Sequence, residues 1–309
     1  MRRATVLPAD RQGVPRQSRA SVRQLFGVPV DGCTMNEAIA ACDEAISQNQ
    51  QLMIGVVNAA KIVNMQRNPR LRDAVLSCDL VLADGQAVVW ASRLLGRPLP
   101  ERVTGIDLFT RLLSHADARR LRVYFLGGTC EVLTDMVERI RRDYPDLHVA
   151  GSQDGYFELA RAAEVAEQIR LADADLLFVG MTSPKKEVFL DAWGSYTGVR
   201  VCHGVGGSFD ILAGKTRRAP ELWQRAGLEW LYRVMQEPSR LWRRYLVTNL
   251  RFLALTAVEA VHPTPAYPRP QLPATGVPAA IGATVPSPRT PSLAEQGEAT
   301  VNHRQDVGA

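Results

Sequence analysis

The chain has 309 residues, of which 46% are hydrophobic, and a formal net charge of +5. It is long enough to bury the full core of one large domain or of two small ones. No apolar run approaches the roughly 18 residues of a membrane-spanning helix, and the basic N-terminus lacks the apolar centre of a signal peptide. The composition therefore predicts a cytoplasmic protein.

Metal and redox chemistry are not predicted from the sequence. The five cysteines are widely spaced without a Cys-x-x-Cys pair, and no two histidines have the spacing of metal ligands. We expect the cysteines to be small buried apolar residues in a reducing compartment. The sequence indicates neither a metal site nor a cofactor.

The chain alternates between apolar runs and helical patterns. Residues 1–20 are expected to form a disordered basic leader, and residues 261–309, rich in proline and alanine, a disordered tail. The predicted buried strands are Leu52–Val57, Leu80–Ala83, Val123–Leu126, Leu176–Val179 and Val199–His203. The predicted helices include Met35–Ser47, Gln86–Leu95, Gly105–Ser114, Val132–Arg142 and Ala160–Leu171. This alternation predicts an α/β fold with a largely parallel sheet covered by helices on both faces.

Ligands of such a sheet bind beyond the carboxyl ends of the strands, so polar residues in those loops are candidate site residues. Asn58 follows the first strand and suits sugar hydroxyls, although capping a helix is the plainer role. Asp84 and Gly85 follow the second strand. The carboxylate can serve as a general base, and the alternative is an ordinary Asp-Gly turn.

Further along, Arg102 lies on a loop stiffened by two prolines. It can hold a diphosphate or carboxylate through two hydrogen bonds, or form a surface ion pair with Glu101 or Asp107.

Gly127 and Gly128 follow the third strand without the GxGxxG spacing, which indicates a tight turn and at most a backbone contact to a ligand.

Two later loops complete the set of candidates. Ser183 is predicted to cap a helix whose first turn carries Lys185 and Lys186, an arrangement that favours a bound anion but also fits solvated lysines. Gly206 and Gly207 allow backbone N–H groups to approach a ligand closely. The nearby Asp210 suits a base or ribose of a nucleotide, and the alternative is a capping role.

The positive charge is concentrated between Lys215 and Arg251, where nine lysine and arginine residues stand against three acidic ones. Helices are predicted over Leu222–Gln236 and from Pro238. In the second, Arg240, Arg243, Arg244 and Arg251 fall within about 100° of arc, with aromatic and aliphatic residues opposite. This pattern indicates a helix at an anionic membrane surface, or an amphipathic helix docked on its own domain.

Several motifs, in order, resemble those of the WecG/TagA/CpsF glycosyltransferases: ADGQAVVWASRLLG, PLPERVTG, SPKKE, GVGGSFDILAGK, GLEWLYR and EPSRLWRRY. The likeness covers about Gln24 to Phe252 and is closest to exopolysaccharide-type members. It implies a Rossmann-like core over residues 21–215 and a helical, membrane-proximal appendage over residues 216–260. It further implies metal-independent, inverting transfer of a sugar from a nucleotide diphosphate, expected to be UDP, to a polyprenyl-diphosphate-linked acceptor.

The resemblance also assigns roles to the candidate residues. Asp84 resembles the general base, Arg102 an active-site arginine, Asn58 a sugar-pocket residue and Asp210 a nucleotide contact. Arginines of the appendage, which neutralise diphosphate in this family, correspond to Arg233, Arg240 and Arg243. The remaining residues expected to bind substrate are Gly85, Gly127, Gly128, Lys186, Gly206, Gly207 and Arg218.

Two departures from the family pattern bear on the donor sugar. Lys186 stands where many members have glutamine, and Val56 replaces a common threonine. These changes suggest a donor other than an N-acetylmannosamine nucleotide, such as an anionic one, or a lysine that binds phosphate directly.

Two other classes of function stay open on the sequence alone. A nucleotide-dependent oxidoreductase would share the sheet, but the missing GxGxxG argues against it. A non-enzymatic membrane-associated adaptor would explain the arginines and tryptophans while leaving the strand-end loops unexplained. The acceptor linkage is not specified, and we expect no nucleic-acid partner and allow for a homo-oligomer.

Overall fold

A computed structural model describes residues 22–270 apart from residues 226 and 237. The strands are β1 Val22–Leu25, β2 Val28–Asp31, β3 Leu52–Val57, β4 Leu80–Ala83, β5 Arg122–Gly127, β6 His148–Gln153, β7 Leu176–Gly180 and β8 Val201–Gly204. The helices of the core are α1 Met35–Ser47, α2 Ala59–Met65, α3 Pro69–Leu76, α4 Gln86–Leu94, α5 Gly105–Ala118, α6 Cys130–Asp143, α7 Ala162–Leu171, α8 Lys185–Trp193 and α9 Ser208–Leu212. Three more follow: α10 Glu221–Arg225, α11 Glu229–Gln236 and α12 Pro238–Val261. The predicted basic leader and most of the predicted tail lie outside the described residues.

Six strands form one parallel sheet in the order β4-β3-β8-β7-β5-β6, and β1 and β2 form a separate antiparallel hairpin. The chain moves outward from β3 to β4 and then crosses to β5 in the other half of the sheet. All six carboxyl ends therefore meet at one edge, where ligands of parallel sheets bind.

Two apolar clusters cover the two faces of the sheet, as the alternating side chains of a strand require. Val56 and Leu82 belong to one cluster, with α1, α5 and α6. Val57 and Ala83 belong to the other, with the β1–β2 hairpin and helices α2 to α4. The predicted Rossmann-like sheet with helices on both faces is confirmed.

Local signals explain why several helices begin where they do. Thr34 and Glu37 form a reciprocal capping box at the start of α1, and Thr104 and Thr129 cap α5 and α6. The predicted cap at Ser183 is wrong. Helix α8 begins at Lys185 after Pro184, without a side-chain cap.

The last C-terminal helix, α12, packs on the core through its C-terminal turns. Phe252 of α12 lies 5.3 Å, ring to ring, from Phe26. The buried carboxylate of Glu259 accepts from the backbone N–H of Phe26 (3.3 Å) and from Arg97 (3.2 Å). The next residues remain in contact, because the backbone N–H of Tyr267 donates to the carbonyl of Gly27 (2.9 Å). The predicted helical appendage is thus present and its last turns are held on the second apolar cluster.

Three predictions about these elements need correction. The single helix predicted over Leu222–Gln236 is two helices, α10 and α11, separated near Gly227, which has φ +70°. Four cysteines are buried as expected, but Cys130 is exposed at the start of α6. The last predicted strand begins at Val201 instead of Val199. Within the described residues, no helix combines the length and the apolar character needed to cross a membrane.

Candidate active site

The centre of the site is the end of strand β4, where Asp84 lies beside Asn58. Strands β3 and β4 are paired in register through Val57 and Ala83, so the next residue of each strand falls side by side. Asn58 donates from Nδ2 to Asp84 Oδ2 (3.3 Å), while its Oδ1 caps helix α2 by accepting from Lys61 N (3.0 Å). Both roles considered for Asn58, the cap and the site residue, are therefore compatible with one geometry.

The other oxygen of Asp84 is held by the start of helix α5. The backbone N–H of Gly105 donates to Asp84 Oδ1 (2.8 Å). His203 Nε2 lies 3.1 Å from the carbonyl of Gly105, which can only accept, so Nε2 carries the proton. Burial lowers the pKa of His203 to about 4, against the opposing effects of the Gly105 carbonyl and Asp84. A neutral histidine therefore lies behind a fixed, half-buried carboxylate.

Two arginines lie near the start of helix α5, whose first residue holds Asp84: Arg102 precedes the helix in the chain, and Arg218 binds Asp107 in its first turn. Arg218 forms a double hydrogen bond with Asp107, from Nη1 to Oδ1 (2.6 Å) and from Nη2 to Oδ2 (2.8 Å). Arg102 donates from Nη1 to Glu229 Oε2 (3.1 Å) on helix α11. The two carboxylates considered as ion-pair partners of Arg102 have other partners in the structure. Asp107 binds Arg218, and Glu101 accepts from the backbone N–H of Met35.

The pKa shifts of this group follow from its contacts. Burial would raise the pKa of Asp107, but hydrogen bonds from Arg218 and Thr104 bring it below its usual value. Burial would likewise lower the pKa of Arg218, but Asp107, Glu229 and Asp84 raise it. Asp84 makes the smallest of these contributions, which indicates that its carboxylate lies within electrostatic range of Arg218.

A buried ion cluster lies beneath the strand ends. Glu187 Oε1 accepts from both Lys61 Nζ (2.7 Å) and Lys186 Nζ (2.5 Å), while its Oε2 is buried without a hydrogen-bond partner. Burial and the neighbouring Lys61 lower the pKa of Lys186 to about 8, which Glu187 and Asp84 partly oppose. Burial would raise the pKa of Glu187, but the two lysines lower it to about 2.

The lysines of this loop are occupied by contacts within the protein. Lys186 is buried with its ammonium on Glu187, and Gly204 leaves space for its chain. Lys185 donates to the carbonyl of Gly155 (2.7 Å) and lies over the ring of Phe157. The expected binding of a phosphate by Lys186 stays a prediction.

The glycine loops have packing roles that the structure explains. A Cβ on Gly127 would overlap the backbone of Gly180, so glycine allows β5 and β7 to close together at this edge. A Cβ on Gly85 would lie 3.0 Å from that of Asn58, so Gly85 admits Asn58 beside Asp84. Gly128 has φ +69°, and a Cβ there would lie 3.2 Å from the side chain of Val132. Ligand contacts of these glycines stay predictions.

The remaining candidates lie further along the chain. Gly206, with φ +57°, and Gly207 precede helix α9, which carries the half-buried Asp210. Arg243 is exposed on α12, whereas the side chains of Arg233 and Arg240 lie outside the described part of the chain. Of the predicted site residues, a hydrogen bond joins Asn58 to Asp84 beside Gly85, and Glu229 joins Arg102 to Arg218.

Several residues of this site were missed by the sequence analysis. Glu229 and Glu187 lie in motifs that were singled out for other residues, GLEWLYR and SPKKE. Lys61 lies in the loop after the first predicted strand, and His203 is the last residue of the last one. For His203, the available signal was a polar residue at the end of an apolar run, which indicates a buried side chain.

The arrangement defines an α/β protein with a fixed carboxylate and two arginines at the carboxyl edge of a parallel sheet. Such a group can accept a proton from a hydroxyl and neutralise an anionic leaving group. The comparisons with known proteins agree with that chemistry. The sequence profile described as Glycosyl transferase WecG/TagA/CpsF family matches residues 23–265.

A curated relative from Bacillus spizizenii, strain W23, is 37% identical over 222 residues, which is 72% of this chain and 85% of the relative. It is named N-acetylglucosaminyldiphosphoundecaprenol N-acetyl-beta-D-mannosaminyltransferase. The chain therefore belongs to the WecG/TagA/CpsF family and is a glycosyltransferase, as its motifs predicted.

The buried ion cluster generates a stability prediction. Glu187→Gln leaves two buried lysines without their carboxylate, so we expect the free energy of unfolding at pH 7 to fall by about 3–5 kcal/mol. Lys186→Gln should cost less, because the Lys61–Glu187 pair remains. Urea denaturation measures both, and equal losses in the two variants would contradict the shared role of Glu187.

The same variants have a defined pH dependence. The pKa of Glu187 is lower in the folded than in the unfolded chain, so its contribution is present above about pH 4.5 and is lost as the pH falls toward 2. Glu187→Gln should lack that part of the acid destabilisation. An unchanged acid limb would show that other carboxylates account for it.

Proposed function

We propose that this glycosyltransferase moves a sugar from a nucleoside-diphosphate sugar, expected to be UDP-linked, to a polyprenyl-diphosphate-linked acceptor in cell-surface polysaccharide synthesis. The observation that carries the proposal is the Asp84 carboxylate, fixed by Gly105 and Asn58 at the start of helix α5, where Asp107 holds Arg218. The family and the name of the Bacillus relative support the same substrate classes.

In the proposed reaction, Asp84 takes the proton from the acceptor hydroxyl as the oxygen attacks the anomeric carbon. The bond from that carbon to the nucleoside diphosphate breaks in the same step, so the configuration inverts and the diphosphate leaves with its electron pair. Arg102 and Arg218 stabilise the negative charge that develops on the leaving group. The short hydrogen bond from Gly105 keeps Oδ1 fixed (2.8 Å), whereas Oδ2, within the described part of the chain, accepts only the longer bond from Asn58 (3.3 Å) and has a lone pair for the proton.

The donor is proposed to carry an N-acetylmannosaminyl group, as in the name of the relative. The two departures, Lys186 and Val56, led us to expect a different, anionic donor from the sequence. In the structure the ammonium of Lys186 is buried on Glu187 and offers no exposed cation to a sugar carboxylate. This contact favours an uncharged donor.

The test of the reaction compares Asp84→Asn with wild type, using a panel of UDP-sugars that includes UDP-N-acetylmannosamine and UDP-glucuronic acid. The acceptor is polyprenyl-diphosphate-linked N-acetylglucosamine. We expect Asp84→Asn to lower kcat by about 10²–10⁴-fold, because a general base is lost.

Asp73→Asn is the matched control, since Asp73 is a half-exposed carboxylate on helix α3. It should leave kcat unchanged. Transfer by Asp84→Asn at the wild-type rate would exclude Asp84 as the base. Transfer from UDP-glucuronic acid alone would contradict the uncharged donor.

We further propose that the protein acts at an anionic membrane surface through helix α12, at the cytoplasmic face of the membrane. Trp242, Leu246, Leu250 and Leu253 recur at helical spacing and are each 50–64% exposed. Arg243 and Arg251 are exposed on the same helix. An apolar strip flanked by arginines is the pattern of an interfacial helix, and it would bring the site to a lipid-linked acceptor.

Flotation with vesicles of phosphatidylglycerol and phosphatidylcholine tests this surface. The double variant Leu246→Ser and Leu250→Ser should bind at least about tenfold more weakly, because two leucines no longer enter the bilayer interface. Leu171→Ser, which changes an exposed leucine on helix α7, is the control. Equal flotation of all three proteins would exclude this strip as the membrane contact.

A further inference from the structure

The carboxylate of Glu229 lies between the two arginines to which the proposed function assigns the diphosphate. Its Oε2 accepts from Arg102 Nη1 (3.1 Å), and its Oε1 lies 3.7 Å from Arg218 Nε. Glu229 is the first residue of helix α11, in the C-terminal part of the chain. A carboxylate of the protein therefore occupies the anion-binding position of its own active site.

The two carboxylates on Arg218 differ in how firmly they are held. Asp107 uses both Nη atoms of Arg218 at 2.6 and 2.8 Å and is also hydrogen-bonded by Thr104 (2.5 Å). Among the described residues, Glu229 makes a single hydrogen bond, to Arg102, and the buried Nε of Arg218 has no hydrogen-bond partner. Asp107 therefore fixes Arg218, whereas Glu229 is the exchangeable carboxylate of the group.

The charges at the site make exchange favourable when a diphosphate arrives. Arg102 and Arg218 are already paired with two carboxylates, Asp107 and Glu229, so their positive charge is balanced before a diphosphate binds. A diphosphate that bound beside Glu229 would meet a like charge within the same few ångströms, which is unfavourable at a partly buried site. Departure of Glu229 removes that repulsion and frees the donors of Arg102.

The chain leading to Glu229 packs on helix α4, which follows the strand that precedes Asp84. A Cβ on Gly227 would lie 2.8 Å from Gln86 Cγ and 3.0 Å from the ring of Trp90, so the backbone here contacts helix α4 directly. Helix α4 begins two residues after Asp84. Movement of Glu229 would therefore also disturb the packing of this backbone on helix α4.

We propose that Glu229 is a built-in competitor for the diphosphate: it occupies Arg102 and Arg218 in the free enzyme, and the substrate's diphosphate displaces it. The proposal rests on the function proposed above. While Glu229 occupies the arginines, it excludes other anions from them. When a diphosphate binds, Glu229 leaves and helix α11 is displaced with it. The diphosphate can belong to the nucleotide donor or to the polyprenyl acceptor, because both present the same group.

Calorimetric titration measures the exchange, with inorganic diphosphate, UDP and farnesyl diphosphate as the three probes. Glu229→Gln should bind inorganic diphosphate roughly three- to tenfold more tightly than wild type, because one opposing charge is removed. Glu138→Gln, which changes an exposed carboxylate on helix α6, should bind as wild type does. If the gain for inorganic diphosphate is shared by only one of UDP and farnesyl diphosphate, that probe identifies the substrate that displaces Glu229.

If Glu229→Gln binds inorganic diphosphate as wild type does, or more weakly, the exchange is wrong and Glu229 instead positions Arg102. Arg102→Gln separates this failure from that of the proposed function. If Arg102→Gln loses diphosphate binding while Glu229→Gln gains nothing, the diphosphate site stands and the competitor is wrong. If Arg102→Gln binds as tightly as wild type, both the site and the competitor are wrong.

A second readout uses the wild-type fold. Trp230 is adjacent to Glu229 and partly exposed, so its fluorescence should shift when diphosphate displaces the carboxylate. The shift should be absent from Trp230→Phe, and free Glu229→Gln should already resemble diphosphate-saturated wild type. No shift of wild-type emission at saturating diphosphate would overturn the displacement of helix α11.

Discussion

The site depends on one constraint, the parallel register of strands β3 and β4. Because Val57 and Ala83 are paired, the backbone N–H of Asp84 donates to the carbonyl of Val57 (2.9 Å), and the side chains of Asn58 and Asp84 meet just beyond the sheet. A shift of one residue in this register would reverse the faces of β4 and remove the carboxylate from the start of helix α5. The packing of both apolar clusters opposes such a shift, so the stability of the core fixes the position of the base.

Each of the four cations around this strand edge is paired with a carboxylate from another part of the chain or, for Lys186, from the next residue. Glu187 holds both lysines, Asp107 holds Arg218, and Glu229 holds Arg102. Pairing makes the burial of these charges tolerable, since an isolated buried charge is costly. It also separates their roles: the lysines are committed to the interior, whereas the arginines lie nearer the surface, where a diphosphate can reach them.

The sheet and much of the site could be predicted from the sequence because the signals are local. Apolar runs marked five of the six parallel strands, and the residue after a run marked Asn58 and Asp84 as candidates. The sixth, His148–Gln153, is half-exposed and contains Gly151, so it lacks such a run. The partners of the arginines were beyond reach, because the contact of Arg102 with Glu229 spans 127 residues and depends on the break at Gly227. The burial of Lys186 could not be predicted either, because a lysine in the first turn of a helix usually faces solvent.

The central claim is that Asp84 promotes a single displacement at the anomeric carbon. Proton NMR of the disaccharide made from an α-linked UDP-sugar tests this most directly, through the coupling constants and chemical shifts of the new anomeric centre. The account predicts a β-linked product, because attack by the activated hydroxyl inverts the configuration. An α-linked product would contradict it, since retention requires two displacements or a mechanism in which Asp84 is not the base.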